Sequence, residues 1–169
     1  SQRLPVDRSI CHREPGDLAA ILYTSGTTGR SKGAMLSHAN LTSNANNLVN
    51  TWDMQPSDVL LHALPIFHVH GLFIALNTAF LGSARIVILL KFTVEDVLRA
   101  LPKTSIMMGV PTFYSRLLAS DRFSDNHYQH MRLFISGSAP LTTRTFDEFE
   151  QRTGQRILER YGMTETNMN

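Results

Sequence analysis

A chain of 169 residues that is 43% hydrophobic can bury one substantial core, so a single domain is expected. Its formal net charge of +2 is nearly neutral and its cations are scattered, which argues against a nucleic-acid face. The lone cysteine, Cys11, excludes an internal disulfide and points to a reducing, cytoplasmic setting; no secretion leader is expected, and no apolar run reaches the ~18 residues that span a bilayer.

Residues 1–16 are polar, carry Pro5, Pro15 and Gly16, and read as a connector ahead of a core over 17–169. The apolar run Leu18–Leu22 predicts a buried strand that empties into the loop Tyr23–Gly33. That loop holds three glycines, five Ser or Thr hydroxyls and two cations. Glycines let main-chain N–H groups converge on an anion, hydroxyls add donors, and Lys32 adds a mobile positive charge. The loop therefore reads as a polyphosphate site rather than a flexible linker. Its spacing matches neither the common nucleotide-hydrolase loop nor the dinucleotide fingerprint, because two residues separate Gly26 from Gly29 and Lys32 precedes Gly33.

Ala34–Leu36 is a short apolar piece, and Ser37 caps a helix whose stripe is Leu41, Ala45, Leu48, Val49 and Trp52. Val59–Leu64 is the next strand, Gly71–Leu81 a buried helix, and Arg85–Leu90 a β-branched strand. Thr93 caps a helix with Glu95 and Asp96 in its first turn and Pro102 just past its end. Ile106–Val110 is a strand, Pro111 opens a helix over Thr112–Ala119, and Ser120–His130 reads as a polar loop. Leu133–Ile135 is a strand, Thr142–Thr153 a helix, and Ile157–Leu158 leads into Tyr161–Thr166. This alternation predicts an α/β fold, a mostly parallel sheet with flanking helices. Ligands of such sheets gather beyond the carboxyl ends of the strands, so Thr24–Gly33, Pro65–Gly71, Ser136–Leu141 and Tyr161–Glu165 should converge on one crevice. His62, His68 and His70 lie close in sequence, as do His127 and His130, but no Cys or carboxylate stands beside them to complete a zinc set.

The loop Tyr-Thr-Ser-Gly-Thr-Thr-Gly-Arg-Ser-Lys-Gly resembles the signature loop of the adenylate-forming superfamily, which includes acyl-CoA synthetases, luciferases and peptide-synthetase adenylation domains. Tyr161-Gly162-Met163-Thr164-Glu165 resembles its second signature, Ser136–Pro140 the segment lining adenine and the acyl pocket, and Leu64–Gly71 the segment bordering the carboxylate channel. The resemblance implies ATP, Mg²⁺ and coenzyme A. Nucleotide contacts would then come from Thr24, Ser25, Gly26, Thr27, Thr28, Gly29 and Lys32 in the first loop. Gly137, Ser138, Ala139, Pro140, Glu159, Tyr161, Gly162, Met163 and Thr164 would supply the rest. Lys32, Thr164, Glu165 and His68 would be catalytic, with Glu165 on the metal.

Phe-His-Val-His-Gly-Leu, Gly-Val-Pro-Thr-Phe-Tyr-Ser-Arg-Leu and Glu-Arg-Tyr-Gly-Met-Thr-Glu-Thr narrow the resemblance to the malonyl-CoA synthetase branch. It implies that Arg116 and Arg160 clamp a distal carboxylate, assisted by Ser138 and His70, while His68, Val69 and Met163 shape the acid pocket. A buried carboxylate demands a partner, and an arginine fork supplies two charge-assisted bonds. The acid would be malonate or methylmalonate. The alternatives are a ligase for another short or medium acid, an adenylation module feeding a carrier protein, and a nucleotide-binding piece without catalysis. The family's ribose-binding aspartate, hinge and mobile-domain lysine have no counterpart here, so a fragment of the large domain, inactive alone, is expected.

Overall fold

The computed structural model describes residues 9–24 and 30–167. The three central strands are apolar up to their last residues because both faces of a parallel sheet are covered. They are β3 (Val59–His62), β5 (Ile106–Gly109) and β6 (Leu133–Ser136); β4 (Arg85–Ile88) and β7 (Ile157–Glu159) flank them. The order is β4-β3-β5-β6-β7, all parallel. Alternation along the strands divides two cores. Leu61, Met107 and Phe134 face one, Leu60, Ile106, Met108 and Ile135 the other.

The first core is covered by α3 (Val94–Ala100), α4 (Pro111–Leu118), α5 (Asp125–Tyr128) and α6 (Thr143–Thr153). Phe149 sits at its centre, edge-on to Phe134 at 4.9 Å and to Tyr114 at 5.5 Å between ring centroids. The second is covered by α1 (His38–Thr51), a π-helical stretch His70–Leu76 and α2 (Asn77–Leu81). Ser37 and Thr93 cap their helices as the sequence predicts. The Ser37 hydroxyl accepts the Asn40 N–H at 3.2 Å, while Asn40 Oδ1 accepts the Ser37 N–H at 3.0 Å, a reciprocal box with Asn in the usual Glu place.

Several elements differ from the sequence expectation. β1 (Leu18–Thr24) is not a buried strand of the parallel sheet: it pairs antiparallel with β2 (Lys32–Ser37) in a separate hairpin. A two-stranded ribbon covers only one face, which leaves Ile21 47% exposed. Lys32 and Gly33 belong to the return strand, with Lys32 opposite Thr24, rather than to the loop. The predicted helix over Gly71–Leu81 starts as π-helix, and its last residues, Phe80 and Leu81, face outward. β4 ends at Ile88, so Leu89 and Leu90 lie in the connection to Phe92. Pro102 lies within a 3₁₀ turn, Leu101–Lys103, and the polar segment after Ser120 contains α5, anchored by buried Phe123 and Tyr128.

A half-buried ion pair, with Asp58 inside and Arg132 at the surface, locks the amino-terminal end of the sheet. Arg132 Nε reaches Asp58 Oδ1 at 2.8 Å and its Nη2 reaches Oδ2, while Nη1 and Nη2 also donate to the carbonyls of Trp52 and Asp53. Ser105 Oγ donates to Asp58 Oδ1 and the Gln55 N–H to Oδ2. Burial alone would raise the Asp58 carboxyl, but Arg132, Gln55 and Ser105 outweigh it and hold it down to about 2.

Candidate active site

The carboxyl ends of β3, β5 and β6 open on a cavity of about 980 Å³. Its walls come from His62–Gly71, Ile88–Phe92, Val110, Phe113 and Arg116, and from Ser138 with Gly162–Thr164. Three of the four predicted loops therefore meet at one crevice. The fourth is joined to it by a hydrogen bond across 141 positions: Thr24 Oγ1 donates to Glu165 Oε1 at 3.1 Å. Ser25, Gly26, Thr27, Thr28 and Gly29 lie outside the described residues. Lys32 is exposed at the head of β2, one strand pairing from Thr24.

The floor of the cavity is built on a very close chain approach. A Cβ at Gly71 would lie 2.2 Å from the Pro65 carbonyl oxygen, so only glycine lets the π-helical stretch start against that turn. This seats Val69 and His70 inward, both buried, while His68 stays exposed with its ring 4.5 Å from that of Phe67. His70 Nδ1 lies 3.0 Å from Ser138 Oγ. Ser138 holds a left-handed backbone, φ +69°, strained for a residue with a Cβ and characteristic of functional turns. Gly137 is wedged beside it: a Cβ there would come within 3.2 Å of His70 Cε1 and 3.4 Å of Arg160 Cγ. Burial pushes the His70 imidazole down to about 4, aided by the charges of Arg160 and His62, so it is neutral at pH 7.

The two guanidiniums reach this site from opposite cores. Arg116, on the last turn of α4, lines the cavity with its Cζ 4.8 Å from the Phe92 ring centroid. Arg160 follows β7 and lies behind Gly137, outside the cavity lining, its Cζ 5.2 Å over the Trp52 ring. Burial lowers its pKa. The structure thus brings His70, Ser138 and Arg116 to one cavity and sets Arg160 a layer behind.

The remaining predicted residues form the rim. Met163 and Thr164 line the cavity, with Gly162 beside them, and Tyr161 is 82% exposed, an open aromatic face. Ala139 and Pro140 are exposed beyond Ser138, and Glu159 ties their loop down, its Oε1 accepting the Leu141 N–H at 2.8 Å. Glu165 and Thr24 together offer a carboxylate and a hydroxyl at one point, oxygen donors that suit Mg²⁺, which fills its shell with water and phosphate oxygens. Sequence reasoning missed the wall Ile88–Phe92, hidden because the apolar run looked like uninterrupted strand. It also missed His62 as a cavity residue; the signal was its place at the end of a buried strand.

Residues 5–169 match the AMP-binding enzyme family, and the chain belongs to it. Its fold is that of the adenylate-forming acyl-CoA synthetases. Among curated relatives, the mitochondrial malonate–CoA ligase of Xenopus laevis is 39% identical over 89% of this chain and 29% of its own length. The crystal structure of ATP-bound MatB from Rhodopseudomonas palustris superposes with a TM-score of 0.89 at 57% identity, over 93% of this chain and 31% of that one. A malonyl-CoA ligase ternary product complex with methylmalonyl-CoA and AMP bound gives 0.85 at 36% identity, covering 98% and 36%. The chain thus spans about 29% of the length of the curated relative. Among the described residues no helix is long and apolar enough to cross a membrane.

Proposed function

We propose that this chain carries the acid pocket and part of the nucleotide site of an ATP-dependent malonate–CoA ligase. In the reaction, a malonate carboxylate oxygen attacks the α-phosphorus of ATP and expels pyrophosphate, leaving malonyl-adenylate. The sulfur of coenzyme A then attacks the acyl carbon, its proton is lost, and AMP departs. The named relatives support this acid and these co-substrates. The observation that carries the reading is the pairing of His70 with Ser138 in a cavity that Arg116 also lines and that Arg160 backs. A purely hydrocarbon tail would find those polar groups unfavourable, whereas a second carboxylate satisfies them.

In this reading Arg116, Arg160, Ser138 and His70 hold the distal carboxylate, Val69 and Met163 limit bulk at the α-carbon, and His68 borders the reacting end. Thr24, Ser25, Gly26, Thr27, Thr28, Gly29, Lys32 and Thr164 cradle the phosphates. Gly137, Ser138, Ala139, Pro140, Glu159, Tyr161, Gly162 and Met163 surround the adenine end of the nucleotide. Glu165, with the Thr24 hydroxyl, would hold Mg²⁺, which when bound neutralises phosphate charge. Lys32 adds a positive charge, lessening the repulsion between carboxylate and triphosphate. The lone Cys11 supports a reducing compartment, the cytoplasm in our reading, although the Xenopus relative bears a mitochondrial name.

The test is the acid profile of the full-length protein in a pyrophosphate-release assay with malonate, methylmalonate, acetate and octanoate. Malonate or methylmalonate should lead. Arg116→Ala should weaken malonate use by roughly 10- to 100-fold, the worth of a charge-assisted pair, while sparing acetate. Undiminished malonate turnover by that variant would end the clamp reading.

A further inference from the structure

Two buried imidazoles line the cavity with more ring nitrogens than partners. His62 ends β3 at 1% exposure, and His70 opens the π-helical stretch at 2%. By strand alternation His62 shares the face of Leu60, in the core that also holds Val69 and Ile74 beside His70. His62 stands close enough to His70 for its charge to act on that ring. Of the four ring nitrogens only His70 Nδ1 has a partner, Ser138 Oγ; His70 Nε2 and both His62 nitrogens have none among the described residues.

A neutral imidazole carries one donor and one acceptor, and leaving either unmet in the interior costs about 1–3 kcal/mol. One arrangement relieves most of this cost. His62 donates to His70 Nε2 across one water, since neither group has a direct partner. His70 then carries its proton on Nδ1 and donates to Ser138 Oγ. With its oxygen already accepting, the Ser138 hydroxyl hydrogen is free for the cavity. The opposite tautomer would make His70 Nδ1 the acceptor and consume that hydrogen.

We propose that His62 is a positioning residue: it sets the direction of the His70–Ser138 hydrogen bond so that Ser138 offers its O–H to a carboxylate in the cavity. The place of Ser138 fits this role, because its Oγ lies 3.0 Å from the ring while the residue lines the cavity. The proposal rests on the carboxylate-binding reading above, and its test separates the two.

The test uses full-length protein carrying ¹⁵N-labelled histidine, with NMR reading the His70 tautomer at neutral pH without substrate. The wild type should show the Nδ1–H form. His62→Leu should convert it to the Nε2–H form, and His62→Gln, which keeps a donor and an acceptor, should preserve Nδ1–H. An unchanged tautomer in His62→Leu, or the same loss in His62→Gln, overturns the proposal. Kinetics give the second readout. In His62→Leu the KM for malonate should rise about tenfold, one hydrogen bond to a charged group, with kcat within a factor of two and butyrate use unaltered. Equal losses on malonate and butyrate would overturn it as well. A wild type that ignores malonate would refute the functional reading instead, leaving the tautomer result to stand by itself.

Discussion

Single atoms decide most of what happens on the cavity floor. Gly71 tolerates no side chain because its neighbour is a backbone carbonyl, Pro65 O, which cannot swing aside. Gly71→Ala should therefore destabilise the fold by about 2 kcal/mol, the usual scale for overpacking, measured as a lower midpoint in chemical denaturation. Gly137 is tighter against side chains than against backbone, since His70 and Arg160 both bound it. Gly137→Ala should shift those two groups and alter malonate KM more than stability; a large stability loss with KM unchanged would contradict that. At this scale the sequence was partly legible. That His70, Ser138 and Arg116 meet at one cavity was readable, because they stand in motif segments with a recognisable order. The buried contact of Gly71 with Pro65 was not, because a close approach between chain segments leaves no mark on either one alone. The placing of Arg160 behind Gly137, stacked on Trp52, was equally hidden.

At the scale of elements, caps and periodicity were dependable guides, since they depend on residues three or four apart. Ser37→Ala should remove one half of the capping box and cost about 1 kcal/mol of stability, with a lower melting temperature as the check. The hairpin was misread for an equally physical reason. A half-buried ribbon strand and a buried sheet strand share the same apolar run, and only their partners distinguish them. β4 was over-extended because Leu89 and Leu90 continue the apolar pattern after the strand pairing stops, although the Leu89 N–H still donates to His62 O. That early exit turns Ile88–Phe92 into a cavity wall and brings Phe92 under Arg116.

For the whole molecule, the parallel α/β sheet was legible from the alternation of strand and helix, and two buried groups give it an acid profile. His70 ordinarily titrates at 6.5 and falls to about 4 in the fold. The unfolded chain therefore binds the proton more readily between these values, so stability declines as pH falls from 6.5 to 4, by on the order of 3 kcal/mol in total. Asp58, ordinarily 3.8 and held to about 2, removes on the order of a further 2 kcal/mol as pH falls across that lower interval. Denaturant midpoints across pH should show both steps; His70→Phe should abolish the first and leave the second. A single step near pH 4 in the wild type would contradict this assignment.

The bond between Thr24 and Glu165 fastens a ribbon near one end of the chain to a turn near the other. A clasp of that span carries a large closure entropy and little buried apolar surface to offset it. It should be the first seam to open in a native molecule and the last to close during folding, with amide exchange at 163–167 outpacing that of β5 and β6. A ligand that bridged both sides would fasten the seam, so nucleotide would act on this protein as a rivet as well as a reactant.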